Sequence, residues 1–485
     1  MFFTPLFLER LIPDDHILKR VDRVLDLRWV RDEVRHLYSE TMGRPSIDPE
    51  AAIRLMLAGF FHGIVHDRKL MREAQVNLAI RWFAGFELDE ELPDHSTLSK
   101  LRKRWGVEVF RRVFRRSVKA CIDAGLVDAE TVHVDATLIR ANVSWESITE
   151  RHMEKVVQEN DDEDNGEGDG KRGGEKKVKV SATDPDASLT KSTLHDKPQP
   201  RYKQHTAVDD RSGVVLDVDV TTGRTPEASV LVEQVRRVEE NVGERPKAVT
   251  ADSSYSTGRN YSELERMGID PVIPARKVAR KGKCFPIDRF SYDARNDVVR
   301  CPAGKKLRRS SRYKNSGWYY RSDPSTCRPC PLKNQCISRG MRHRKVLIVD
   351  GYPALLRARR AERSSPVGRR PDYVRHKWLV EGRHGEAKTQ HGLGRAVRRG
   401  IEQVAIQVLL TITAMNLKRL AAASLKPLML FISILVRYPR SLLATTNTPS
   451  QLAAATQSPL NTTTSSLFFN RPVSERVGHF TAKLN

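Results

Sequence analysis

Three carboxylates stand apart by their surroundings. Asp135 interrupts the β-branched run Thr131-Val132-His133-Val134-Asp135-Ala136-Thr137-Leu138-Ile139, and Asp252 closes the short apolar run from Pro246 to Ala251. Glu381 lies between Lys377 and Lys388 in the basic stretch from Asp372 to Lys388. An aspartate inside a buried strand is costly unless it is paired, bound to a metal or bonded to local backbone. An acid at the C-terminal end of a strand, followed by small polar residues, is a frequent site position, with a turn cap as the plainer alternative. At 3.6 residues per turn, Lys377, Glu381, His384 and Lys388 fall near one helix face, whether as a solvated face of ion pairs or as working groups. Three acids from three separate elements can share divalent cations, and flanking lysines suit a polyanion.

The elements needed to position them are legible in order. In the N-terminal segment, Asp48-Pro49-Glu50 is a helix start, and the run Ala51 to Phe61 is apolar nearly all round and therefore core. A second helix is predicted from Asp67 to Phe83, and a third from about Asp94 carries Arg102, Lys103 and Arg104. The fourth sets Val109, Phe110, Val113, Phe114 and Val118 against Arg111, Arg112, Arg115, Arg116 and Lys119. Basic helices of this kind contact phosphates or are simply solvated.

After the Asp135 strand, the stretch at about 155–200 is acidic, then basic, and reads as a disordered insert. Tyr202–Asp209 and Val214–Val220 form a hairpin around Asp210-Arg211-Ser212-Gly213. Asp217 and Asp219 are predicted on its exposed face and are set aside. A helix from Thr225, the Asp252 strand, a helix near Tyr261 and a strand at Ile269–Pro274 follow. Three strands, then helix–strand alternation, then a late helix with Glu381 is the order of the ribonuclease H fold, in which the first strand, fourth strand and last helix converge on a metal site.

Composition bounds the partner. The 485-residue chain carries a formal charge of +24, and Cys301–Gly400 holds 26 Lys and Arg against 6 Asp and Glu, a local +20. Such a surface points to a polyanion, most often nucleic acid. The start Met1-Phe2-Phe3 lacks the basic region of a signal peptide, and the apolar run Leu428–Val436 is too short to span a bilayer, so a soluble intracellular protein is expected.

Val134-Asp135-Ala136-Thr137, Thr250-Ala251-Asp252-Ser253-Ser254-Tyr255 and Glu381-Gly382-Arg383-His384-Gly385-Glu386-Ala387-Lys388 resemble the three acidic motifs of bacterial insertion-sequence transposases of the DDE class. Gly43–Pro49, Pro93–Leu98 and Gly400–Leu420 resemble that group's helical N-terminal domain and closing helix. The resemblance runs from about residue 1 to 420. It implies Asp135, Asp252 and Glu381 as ligands of Mg²⁺ or Mn²⁺, Lys388 as the lysine that follows the glutamate after six intervening residues, and double-stranded DNA, both transposon ends and target, as partner. It further implies a homodimer on paired ends and a cytoplasmic, nucleoid-associated location. Where the family usually carries arginine and tyrosine, this chain has Lys377 and Val374, with Tyr373 one residue away. The other readings open at this stage are a non-transposing nuclease of the same fold and a binding protein with inert acids.

Between the last strand and the Glu381 helix lies a basic insert with Cys301, Cys327, Cys330 and Cys336. The Cys327-Arg328-Pro329-Cys330 spacing suits a structural zinc; reduced thiols in a small β subdomain are the alternative. Trp318, Tyr319 and Tyr320 beside Arg308, Arg309 and Arg312 suit stacking on DNA or a patch beneath the subdomain, and Arg357–Arg370 reads as phosphate-binding. The expected architecture is therefore α/β: an all-α domain (1–125), a ribonuclease H-like core (126–275 and 371–420) split by a cysteine-containing β insert (276–370), and a loose tail (421–485).

Overall fold

The structure, a computed structural model, describes residues 7–39, 46–144, 148–152, 177–191, 196–278 and 284–424. The Gly43-Arg44-Pro45 motif, the most acidic part of the charged stretch and the tail from residue 425 lie outside the described residues.

Helix α1 (Pro49–Phe61) starts where its capping residues put it: the Asp48 carboxylate accepts from Glu50 N at 2.8 Å and Ala51 N at 3.2 Å. The helix read across 67–83 is two, α2 (Asp67–Val76) and α3 (Leu78–Ala84). Asn77 leaves the helical conformation and caps the second through Ala79 N and Ile80 N, both at 3.1 Å. The next two helices instead run end to end as α4 (His95–Asp123), broken only at Gly106, whose φ of 68° and ψ of 179° favour glycine. The apolar face of α4 is buried as expected. Arg102 is not on the outer face. It is 1% exposed and turned inward onto Asp67, which Arg398 also holds at 3.0 Å, so this arginine joins the two ends of the fold and is spent on an internal ion pair.

The main sheet comprises β1 (Thr131–Arg140), β2 (Ile148–His152), β3 (Lys177–Ser181), β4 (Ser188–Thr190), β5 (Gln199–Asp209), β6 (Val215–Thr222), β7 (Ala248–Ala251) and β8 (Asp270–Val272). Its centre runs β6–β5–β1–β7–β8. The first three strands are antiparallel, and β7 and β8 join in parallel through helical crossovers. β2, β3 and β4 extend it from the far end of β5, so β3 and β4 correct the expectation of disorder across 155–200; the alternation Lys177-Val178-Lys179-Val180 has strand period.

Helix α5 (Glu227–Val242) covers one face of the sheet, and α6 (Gly258–Arg266) follows β7. The covering helix corrects another expectation: Asp217 is 2% exposed and paired with Arg237 of α5 at 3.1 Å, while half-buried Asp219 lies 3.5 Å from the same arginine.

A second, antiparallel sheet, β9 (Ser291–Asp293), β10 (Val298–Arg300), β11 (Lys306–Tyr313), β12 (Gly317–Ser322) and β13 (Lys345–Val349), forms the insert. Its exit is fixed against α6, because a Cβ on Gly351 (φ 73°) would collide with the Gly258 carbonyl. Helices α7 (Tyr352–Ser364), α8 (Pro371–Thr389) and α9 (Ile401–Ala423) complete the chain. α9 is long and apolar enough to cross a bilayer, yet most of it is buried inside the fold, against α1, α4 and β6. Its buried Asn416 uses both ends of its amide on Val215, accepting from N at 3.0 Å and donating to O at 2.9 Å.

Candidate active site

Strand alternation sets His133, Asp135 and Thr137 on the face of β1 that receives α8. His384 of α8 stands with Nδ1 3.8 Å from Asp135 Oδ2 and Nε2 3.2 Å from Thr206 Oγ1, on the strand position paired with Asp135. One turn further, Lys388 Nζ donates to Thr137 Oγ1 at 2.5 Å. At the other end, His376 Nδ1 lies 2.8 Å from Thr250 Oγ1, which lies 2.6 Å from His133 Nδ1; His133 Nε2 is 2.8 Å from Asp210. Burial holds His376 down at about 4 and His384 at about 3, so both imidazoles bond as neutral groups. If His133 donates to Asp210, Thr250 donates to His133 and accepts from His376, and every member of the chain is satisfied. These bonds fix the helix that carries Glu381 along the strands that carry Asp135 and Asp252.

The three acids share one electrostatic neighbourhood. Burial pushes the Asp135 carboxyl up to about 7, and the like charges of Asp252, Glu227 and Glu381 push in the same direction. Asp252, at the end of β7, accepts from Ser254 N at 2.7 Å, the turn-cap bond, but its position at the strand end also brings it to Asp135. Glu381 is exposed on α8. Among the described residues no three His, Cys, Asp or Glu side chains close on a common metal point. The chemistry of the set nonetheless fits a hard divalent cation. Its donors are carboxylate oxygens, and Asp135 is held from ionising by burial and by neighbours of its own sign, a condition that a cation reverses.

Around this centre the remaining predicted residues divide. Lys377 is exposed and Lys388 half-buried beside Asp135, whereas Val374 and Trp378 are exposed on α8. Tyr373, one residue off the family position, stacks on His376 (5.7 Å between centroids, 9° between planes) and feels the charges of Asp252 and Asp135. Lys103 is exposed, and Arg104 lies half-buried over the Tyr38 ring at 5.2 Å. In the insert Arg308 is exposed. Arg309 and Arg312 reach Asp297 and Asp350 at 3.2 and 2.8 Å and cover Trp318 at 4.4 and 5.3 Å. Lys345 covers Tyr319 at 3.6 Å, and Tyr320 is buried. The insert's aromatics are therefore roofed by the chain's own cations or placed beneath the subdomain. Within Arg357–Arg370, Arg357 pairs with Glu265, and Arg370 with Asp270 and Asp372, both at 2.7 Å, so these two serve the fold first.

The cysteines are all free thiols. Burial pushes Cys336 up to about 11, and Cys301, Cys327 and Cys330 are near enough to add to that shift. Sequence reasoning placed His384 on the helix face of Glu381 and quoted Ser254 and Tyr255 within the Asp252 motif, but gave Glu227 and His376 no place in the centre. The signal for Glu227 was an acid in the first turn of a helix, read only as part of a helix start.

Residues 6–104 match the family described as transposase domain (DUF772), and residues 300–421 match the transposase DDE domain. The second match takes in Glu381 and Lys388, while Asp135 and Asp252 precede it. No curated protein matches the chain. Together the two matches define a DNA transposase, a metal-dependent enzyme of DNA cleavage and strand transfer. Both matches support an insertion-sequence transposase of the DDE class.

Proposed function

We propose that the chain binds the terminal inverted repeats of its own element, cuts at the element ends and joins them to target DNA, using a ribonuclease H-like core. The observation that carries this is Asp135 on the central strand, within the charge field of Asp252 and Glu381, with Lys388 beside it. The strand order β6–β5–β1–β7–β8 supports the core assignment. Asp135, Asp252 and Glu381 would hold Mg²⁺ or Mn²⁺, which when bound activates a nucleophile and stabilises the oxygens of an in-line displacement. Lys388, and Lys377 on the exposed side of the helix, orient the phosphate. In the first step water adds to phosphorus, the P–O3′ bond breaks and a free 3′-OH remains on the element. In the second that 3′-oxygen forms the new P–O bond in the target while a target 3′-oxygen leaves.

Exposed Lys103 and Arg308, with Arg104, Arg309 and Arg312, supply contacts to the DNA backbone. Cys301, Cys327, Cys330 and Cys336, near enough to influence one another's charge, would have to draw closer to take up a structural Zn²⁺ that steadies the insert. A homodimer on paired ends, acting in the cytoplasm at the nucleoid, completes the reading, with domains at 1–125, 126–275 plus 371–420, and 276–370. End-labelled DNA carrying the element's flanks, incubated with Mg²⁺ or Mn²⁺, tests it. Nicks at the boundary are expected from the wild type and none from Asp252→Asn or Glu381→Gln; a cutting Asp252→Asn variant overturns the assignment.

A further inference from the structure

A single hydroxyl ties a further carboxylate to the three acids. Ser254 Oγ lies 2.5 Å from Glu227 Oε2 and in equally close contact with Asp252 Oδ1. A serine hydroxyl carries one hydrogen and so satisfies one of the two carboxylates; the other faces oxygen across a short gap. Two acids within one hydrogen bond of the same atom are near enough for one cation, or water held on it, to touch both.

The placement of Glu227 follows from the sequence. Thr225-Pro226-Glu227 opens α5, and the opening of that helix lies beside the end of β7, where Asp252 sits. Lys203 reaches Glu227 Oε1 at 3.2 Å from one side and donates to Thr225 O at 2.9 Å, leaving Oε2 to the Ser254 side.

A second observation is independent of the acids. Tyr255 is fully buried, and its hydroxyl has no hydrogen-bond partner among the described residues, although it lies within the fields of Asp135, Glu227 and Asp252. A buried hydroxyl left unpaired keeps the whole penalty of its desolvation. A water held near those acids would supply the missing partner.

We propose that Glu227 is a fourth carboxylate of the catalytic centre, sharing with Asp252 a divalent cation whose bound water also meets the Tyr255 hydroxyl. The proposal rests on the three-acid reading above. Mn²⁺ binding to the full-length protein, followed by loss of the free-ion paramagnetic resonance signal, tests it without recourse to cleavage. Glu227→Gln is expected to weaken the affected ion at least tenfold, and Glu227→Asp to restore part of the loss. Lys203→Met should leave binding unchanged or tighter, and Glu233→Gln, on the same helix and paired with Arg236 at 3.3 Å, should bind as wild type. Thermal unfolding without metal checks that each variant folds. Should folded Glu227→Gln bind Mn²⁺ like wild type while Asp135→Asn and Asp252→Asn do not, the fourth carboxylate is refuted and the three-acid centre stands. Should all three variants bind like wild type, the three-acid centre fails with it. A loss in Lys203→Met equal to that in Glu227→Gln would also overturn the proposal, since it would reduce Glu227 to an ion-pair partner.

Discussion

The two sheets of this transposase put polar residues to opposite uses. In the main sheet, His133, Thr206, Thr250 and Asp217 are buried and each has a defined partner on a neighbouring strand or helix. In the insert, β11 runs Lys306 to Tyr313 with Arg308, Arg309 and Ser311 all exposed and only Leu307 buried. Holding a carboxylate in place requires neighbours that cannot move, and burial supplies them at the cost of desolvation. Meeting phosphates along a strand requires charge that stays solvated and adaptable. The difference lies in what covers each sheet, since the strand geometry is the same.

The comparison breaks most visibly if an acid of the main sheet proves dispensable. Asp135→Asn should lower cleavage by roughly 10³-fold or more, the loss of several kcal/mol of charge stabilisation, with little change in DNA affinity by gel shift. A large drop in affinity would mean that the main sheet also grips. Next, two ion pairs set burial against exposure. Asp217→Asn leaves Arg237 without its buried partner and should cost about 3–5 kcal/mol in urea unfolding. Asp350→Asn breaks the Arg312 pair, about 40% exposed on both sides, and should cost at most about 1 kcal/mol. Equal costs would erase the contrast.

A smaller effect concerns protons. His205, fully buried on β5 with Nε2 2.9 Å from Thr221, is held down to about 3 by burial. Its folded value lies below the unfolded one, so the unfolded chain binds the extra proton. Its contribution is whole above about pH 6.5 and is lost as pH falls toward 3, by up to about 1.4 kcal/mol per pH unit. His205→Gln should flatten the stability–pH curve by that slope; an unchanged curve would show that the imidazole is not held neutral. Smallest of all, Arg308→Ala should leave stability unchanged and reduce the logarithmic salt slope of DNA binding by about 1.

Much of the centre was legible because its residues conflict with their setting. An aspartate in a β-branched run and an acid at a strand end are anomalies that sequence alone displays. Asp48-Pro49 and the hairpin turn marked their elements for the same local reason. What stayed hidden depended on coverage. Asp217 alternates like an exposed strand residue, and only the packing of α5 over it turns it into a buried ion pair. Arg102 belongs to a basic run, and only Asp67, far away in sequence, turns it inward. Glu227 looks like any acid at a helix start until Ser254 is folded beside it.

The burial of α9 bears on the order in which the protein can be made. The helices nearest the start of the chain rest against the stretch Ile401–Ala423, and β6 exchanges both amide bonds of Asn416 with it. A ribosome releases the chain from its first residue, so α1 and α4 emerge long before the helix that covers them. Their apolar faces must wait uncovered, sheltered by chaperones or by transient contacts, until more than 400 residues have been joined. A product that terminates before α9 then lacks the cover of its own N-terminal helices, which ties the maturation of this enzyme to completed synthesis.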